Sequence, residues 1–175
     1  MQKDIFNIQN KEDFKEAALS VFKHQFKNNK VYRSFCDLLY IHPSDVSKVE
    51  EIPFLPIQFF KSRKVISSLS EIEATFTSSG TTGSITSKHF VTDITLYKES
   101  YLKGFAHFYG NIEEYTVLAL LPNYLERKGS SLVFMVDDLI KKSKNTESGF
   151  YLNNIEELAK KLTELDKNGQ KTLLI

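Results

Sequence analysis

The run Tyr115-Thr116-Val117-Leu118-Ala119-Leu120-Leu121 is almost continuously apolar, without the alternation of a half-solvated strand. Such a run suits a strand buried on both faces, and it therefore demands covering layers on either side. The flanking sequence supplies them. Upstream, Thr92 or Asp93 can cap a helix that aligns Ile94, Tyr97, Tyr101, Phe105 and Phe108, with Gly110 as its stop. Downstream, a loop leads to a helix gathering Leu132, Met135, Val136, Leu139 and Ile140. Asn154 with Glu157 then forms a cap-like pair ahead of a stripe of Ile155, Leu158, Leu162 and Leu165, and Gly169 ends it before Lys171 to Ile175 turns strand-like. Strands alternating with helices predict a largely parallel sheet and an α/β fold.

The N-terminal part reads differently. Asn10 is placed to cap a helix carrying Phe14, Ala18, Val21, Phe22 and Gln25, and a second helix follows Asn29, with Val31, Phe35, Leu38 and Leu39 on one face and His42-Pro43 as its end. Pro53 and Pro56 break helix, Phe59 to Ile66 reads as extended chain, and Lys88 to Val91 as a short strand. The organisation expected is an N-terminal helical region at 1–48, then a partial α/β domain at 49–175: helices followed by an incomplete, mostly parallel sheet flanked by helices. The apolar pattern runs to Ile175 without a turn or polar tail, which leads to the expectation that a further chain segment or a partner completes this edge.

Between these parts lies Phe76-Thr77-Ser78-Ser79-Gly80-Thr81-Thr82-Gly83-Ser84, dense in hydroxyls and glycines. Gly80 and Gly83 can take positive φ and let backbone approach a ligand, and successive N–H groups turned to one side make an anion-binding concavity. Thr77, Ser78, Ser79, Thr81 and Thr82 add hydroxyl donors. A plain surface connection has a similar composition. The order Ser-Ser-Gly-Thr-Thr-Gly matches neither the Walker loop nor Gly-x-Gly-x-x-Gly.

That order resembles the nucleotide phosphate-binding signature of the acyl-adenylate-forming enzymes. Ile52-Pro53-Phe54-Leu55-Pro56-Ile57-Gln58-Phe59-Phe60-Lys61-Ser62 and Val91-Thr92-Asp93 resemble phenylacetate–coenzyme A ligases. With Leu120 to Leu132 and Ser148-Gly149-Phe150-Tyr151, the arrangement is similar above all to the acyl-protein synthetases, the fatty-acid-activating ligases of bacterial luminescence systems. The resemblance spans most of the chain. It implies the N-terminal portion of a ligase that uses ATP with magnesium to turn a fatty acid or other small carboxylic acid into an acyl-adenylate. The acyl group would then pass to a thiol, a protein cysteine or coenzyme A. Phosphate ligands implied by the resemblance are Thr77, Ser78, Ser79, Gly80, Thr81, Thr82 and Gly83. Lys88 joins them either as a point charge or as a solvent-facing strand residue, because Ser84-Ile85-Thr86-Ser87-Lys88 stands where the superfamily commonly has Pro-Lys.

The resemblance assigns no catalytic residue here. Later family motifs, Tyr-Gly-x-Thr-Glu among them, would belong to the remainder of the ligase chain, and Tyr109-Gly110-Asn111-Ile112-Glu113 is better read as a helix terminus. Cys36 sits beside Phe35 and Leu39 and reads as a small buried hydrophobe; the resemblance places the acyl-accepting cysteine in the C-terminal region of such synthetases, so Cys36 does not inherit that role. Asp137 and Asp138 point to different sides of a helix and read as a solvated face; Gly129-Ser130-Ser131 precedes a helix whose N–H groups could hold a carboxylate or phosphate, or Ser130 simply caps it; Tyr97, Tyr101, Phe105 and Phe108 could line an acyl pocket but at helical spacing read as core. His24, His42, His89 and His107 lack paired zinc-ligand spacing, so no protein-built metal site is expected. A net charge of +1 gives no reason to propose nucleic acid or an anionic membrane as partner. The apolar runs are too short to span a bilayer, no signal-peptide core is present, and one cysteine allows no internal disulfide, so a cytoplasmic protein is expected. The rival reading is a non-catalytic interaction module that keeps the ligase half-fold and uses a sheet edge to recruit a partner. A serine hydrolase would need the Gly-x-Ser-x-Gly elbow, which is not in the sequence.

Overall fold

A computed structural model describes residues 4–78, 85–123 and 127–175. The chain divides into two compact units, 1–96 and 97–175. The sequence boundary at 48/49 falls inside the first unit, where Val46 on one side and Ile52 and Leu55 on the other share one core cluster.

The first unit opens with two helices, α1 (Lys11–Asn28) and α2 (Lys30–Leu38). Asn10 begins α1 by accepting the N–H groups of Glu12 and Asp13 at 2.9 and 3.0 Å, satisfying donors that the helix itself cannot. Asn29 joins the helices: its N–H donates to the Gln25 carbonyl at 2.8 Å, and its side chain accepts from the Tyr32 N–H at 3.1 Å. Between the helices Phe22, Phe26, Tyr32, Cys36 and Val46 form a buried cluster. The expected face of α2 is corrected here: Leu38 is 79% exposed, whereas Tyr32 and Cys36 are buried. The apolar residues of this helix form one broad stripe opposite Lys30, Arg33, Ser34 and Asp37; contact with Phe22 turns its Tyr32 and Cys36 edge inward, keeps Phe35 packed against the core and leaves Leu38 outside. The helix also stops earlier than His42-Pro43, at a left-handed Tyr40 with φ 56°.

The Tyr32 hydroxyl donates to the Pro53 carbonyl at 2.6 Å. Tyr32→Phe is expected to cost about 0.5–1.5 kcal/mol by removing that donor. Burial, first, and the neighbouring Cys36 raise the Tyr32 pKa. The folded state therefore holds the phenolic proton longer than the unfolded chain does. This contribution to stability is complete below the unfolded value near 10 and is lost as pH rises beyond it. Urea midpoints at pH 7 and above pH 10 should show a steeper alkaline decline in the wild type than in the variant; parallel declines would refute the assignment.

Phe59 to Ile66 is not extended throughout, as the sequence suggested: Phe59–Ser62 forms the one-turn helix α3. Pro56 helps to start it, since its carbonyl accepts the Phe59 N–H at 3.0 Å and its fixed φ favours a turn. Strands β1 (Ala74–Thr77) and β2 (Lys88–Val91) then pair antiparallel, Ala74 opposite Val91 and Thr77 opposite Lys88. A short hairpin connection returns a strand only antiparallel.

Helix α4 (Ile94–Tyr109) ends at Gly110, whose φ of 86° suits the stop foreseen from sequence. In the second unit, strands β3 (Thr116–Ala119), β4 (Gly149–Phe150) and β5 (Thr172–Leu174) form a parallel sheet in the order β4-β3-β5, which makes the fold α/β. Every residue of β3 is buried. Val117 and Ala119 pack towards α5 (Ser131–Ser143), while Leu118 packs towards α6 (Ile155–Lys167). This is the period-two division of a strand covered on both faces. Strand β4 was not foreseen, because two residues carry no periodic signal. Behind it the Ser148 hydroxyl accepts the buried Val117 N–H at 2.9 Å, and Asn145 donates to Thr116 Oγ1 at 2.8 Å.

Candidate functional site

Strands β1 and β2 set Thr77 directly opposite Lys88, both exposed, at the base of the glycine-rich segment. Ser78 and Ser87 close that base. The Ser78 N–H donates to the Ser87 carbonyl at 3.2 Å, and the Ser78 hydroxyl accepts the Ser87 N–H at 3.1 Å. The hydroxyl of Ser78 keeps its own proton for donation. Of the proposed phosphate ligands, Thr77, Ser78 and Lys88 are thus brought together, and Ser79, Gly80, Thr81, Thr82 and Gly83 lie outside the described residues.

Beside Lys88 the structure adds cations that the sequence reading passed over. Lys61, Arg63 and Lys64, from α3 and the residues after it, line one cleft of about 460 Å³ together with Lys88 and the aromatic rings of Phe60 and Phe90. Among the described residues none of these four cations has a carboxylate partner. Lys64 Nζ lies 5.5 Å from the centre of the Phe90 ring, and the Phe60 ring stacks on His89 at 4.6 Å. The aromatic packing holds α3 against β2, so the positive charges share one cleft that no carboxylate lines. Such a cleft favours a multiply charged anion: Arg63 can offer a planar fork and the lysines point charges. The clue in the sequence was the Lys61-Ser62-Arg63-Lys64 run, which by itself resembles any solvated basic stretch.

The other candidates have structural explanations. Cys36 is 0% exposed, and burial, first, pushes its thiol pKa up, the reverse of what a reactive cysteine needs. Ser130 caps α5 by accepting the Val133 N–H. Asp137 pairs with Lys141 at 2.5 Å, and Asp138 points elsewhere, but Asp138 is half-buried and accepts the Tyr101 hydroxyl at 2.8 Å, so the solvated-face reading fails for it. Burial and that carboxylate raise the Tyr101 pKa. The Tyr97 hydroxyl donates to the Ser131 carbonyl and Phe105 is buried, whereas Phe108, assigned to the same stripe, is exposed. Tyr109 and Gly110 form the end of α4, as the helix-terminus reading requires. Among the described residues no group of three or more His, Cys, Asp or Glu side chains gathers as a metal site would require, and no helix is long and apolar enough to cross a membrane.

The family model described as acyl-protein synthetase, LuxE, matches residues 5–115. A long-chain-fatty-acid–luciferin-component ligase of Photorhabdus luminescens is 36% identical over 70 residues, which are 39% of this chain. The chain thus covers 60% of the length of that relative. No solved structure matches.

Proposed function

The chain belongs to the acyl-protein synthetase family, and from that premise we propose that it serves ATP-dependent activation of a fatty acid as an acyl-adenylate, followed by transfer to a thiol. The reading is supported by one observation above all: the hairpin base Thr77/Ser78/Lys88 stands beside a cleft of uncompensated cations. Hydroxyl donors and cations in that number fit a polyphosphate together with a second, smaller anion.

In the proposed step the fatty-acid carboxylate attacks the α-phosphorus of ATP in line, and the bond to the bridging oxygen of pyrophosphate breaks. Residues 77–83 would hold the β and γ phosphates through N–H and hydroxyl groups, while Lys88 would stabilise the charge that grows on the departing pyrophosphate. Magnesium bound with the nucleotide would supply further charge neutralisation. No residue of this chain is assigned to adenine or ribose. The acceptor thiol is a protein cysteine or coenzyme A, and buried Cys36 is not that acceptor. ATP and a reduced thiol acceptor both suit the cytoplasm.

The double substitution Gly80→Val and Gly83→Val tests this. Two branched side chains would crowd a segment whose backbone has to approach phosphate closely, so Mg-ATP affinity should fall at least about tenfold by calorimetry while the fold stays intact. Wild-type protein that binds no nucleotide, or a variant that binds it equally well, would overturn the proposal and favour the interaction module.

A further inference from the structure

The first unit contains a cavity of about 600 Å³, within the ordinary range of small-molecule sites, roughly 300–1,000 Å³. Its walls come from α1, from the Pro53–Leu55 segment and from the chain between α3 and β2, with Ala18, Val21, Phe22, Phe54, Phe60 and Phe90 among them. No lysine, arginine, histidine, aspartate or glutamate lines it. Its lining polar groups are few, and one of them, Asn29, is already engaged as the cap of α2. Around it Phe14 is 52% exposed and Phe54 77% exposed, large apolar groups held at the surface beside an opening. An occupant of this cavity must itself be apolar, since a charge placed there would lose its water without gaining a partner.

Charge complementarity identifies the rest of the occupant. Phe60 and Phe90 line both this cavity and the cleft of Lys61, Arg63, Lys64 and Lys88, so an apolar compartment and a cationic one abut across two shared rings. We propose that the cavity holds the alkyl chain of the fatty acid and that Lys61, Arg63 and Lys64 face its anionic head. This rests on the ligase reading given above and adds where, on this chain, the acid is held. The geometry suits a long-chain acid: a tail of many methylenes fills the apolar space, and a short acid would leave most of it empty.

The test uses the whole chain without nucleotide and the probes octanoate, dodecanoate and dodecan-1-ol, followed by calorimetry. Affinity should rise roughly 3–4-fold per added methylene between octanoate and dodecanoate until the cavity is full. Ala18→Phe, which places a ring in the empty space, should weaken dodecanoate by about tenfold or more. Val21→Phe, from the next turn of α1, should do the same, and both are accepted only where circular dichroism and urea midpoint match the wild type. The pair Arg63→Glu and Lys64→Glu should weaken dodecanoate about fivefold or more, yet leave dodecan-1-ol unchanged, because only the carboxylate senses the charge. Folded cavity variants that bind dodecanoate as the wild type does would overturn the assignment, as would equal affinity for octanoate and dodecanoate. Saturation of the wild-type cavity by another part of the protein, seen as no binding of any probe, would overturn it too. Mg-ATP binding by the wild type separates the two ideas: if nucleotide binds and the probes do not, the cavity assignment fails alone; if neither binds, the ligase reading fails with it.

Discussion

Phe22→Ala is expected to destabilise the first unit by about 3–5 kcal/mol, the cost of deleting a buried aromatic ring and leaving a void. Phe22 is 2% exposed and meets the Tyr32 ring edge to face, with centroids 6.1 Å apart. It stands where α1, α2 and the loop residues Ile52 and Leu55 converge, so few atoms can relax into the space it leaves. A loss of this size is a large part of the 5–15 kcal/mol that holds a typical domain folded. Leu38→Ala makes the comparison sharp. Leu38 is also apolar and lies on the neighbouring helix α2, yet it is exposed, and its removal should change stability by about 0.5 kcal/mol or less. Urea midpoints of the two variants decide the matter: similar losses would mean that α2 presents the other face to the core.

In the second unit the corresponding expectation is Leu118→Ala, at about 2–5 kcal/mol. Leu118 is 0% exposed in the middle strand of the parallel sheet and packs with Tyr151 and Leu158 on the α6 side. Its backbone is held on both edges, with β4 through Gly149 and β5 through Leu174, so the strand cannot shift to fill the gap. Ile155→Ala, at an exposed position on α6, should be nearly neutral by the same measurement. If Ile155 proved the costlier of the two, the stripe drawn from sequence through Ile155 would be the true packing face, and the placement of α6 on β3 would be wrong.

The features legible in the sequence were those decided within a few residues. Asn10, Asn29, Ser130 and Asn154 each cap the helix that follows them, because a cap bonds to N–H groups two or three positions ahead. Gly110 and Gly169 end helices with positive φ, a conformation that glycine adopts without a side-chain clash. The apolar run at 115–121 announced a strand covered on both faces, since its composition leaves no side for water. The hairpin that frames the glycine-rich segment was foreseen on one side, at Lys88 to Val91, and the resemblance to acyl-protein synthetases rested on a residue order that survives without any tertiary information.

What needed the tertiary structure was every property that depends on partners far along the chain. The buried face of α2 follows from Phe22 and Val46 rather than from its own period. The two-residue strand β4 exists only because β3 offers it hydrogen bonds. Lys61, Arg63 and Lys64 become a cleft with Lys88 because α3 lies against β2, and the apolar cavity arises because α1 and the Pro53–Leu55 segment leave space between them. Sequence by itself determined where helices start and stop and which strand must be buried, since those are local balances of hydrogen bonding and solvation. Only the tertiary structure decided which charges converge and which apolar surfaces enclose a void, because electrostatic and packing energies depend on distances in space.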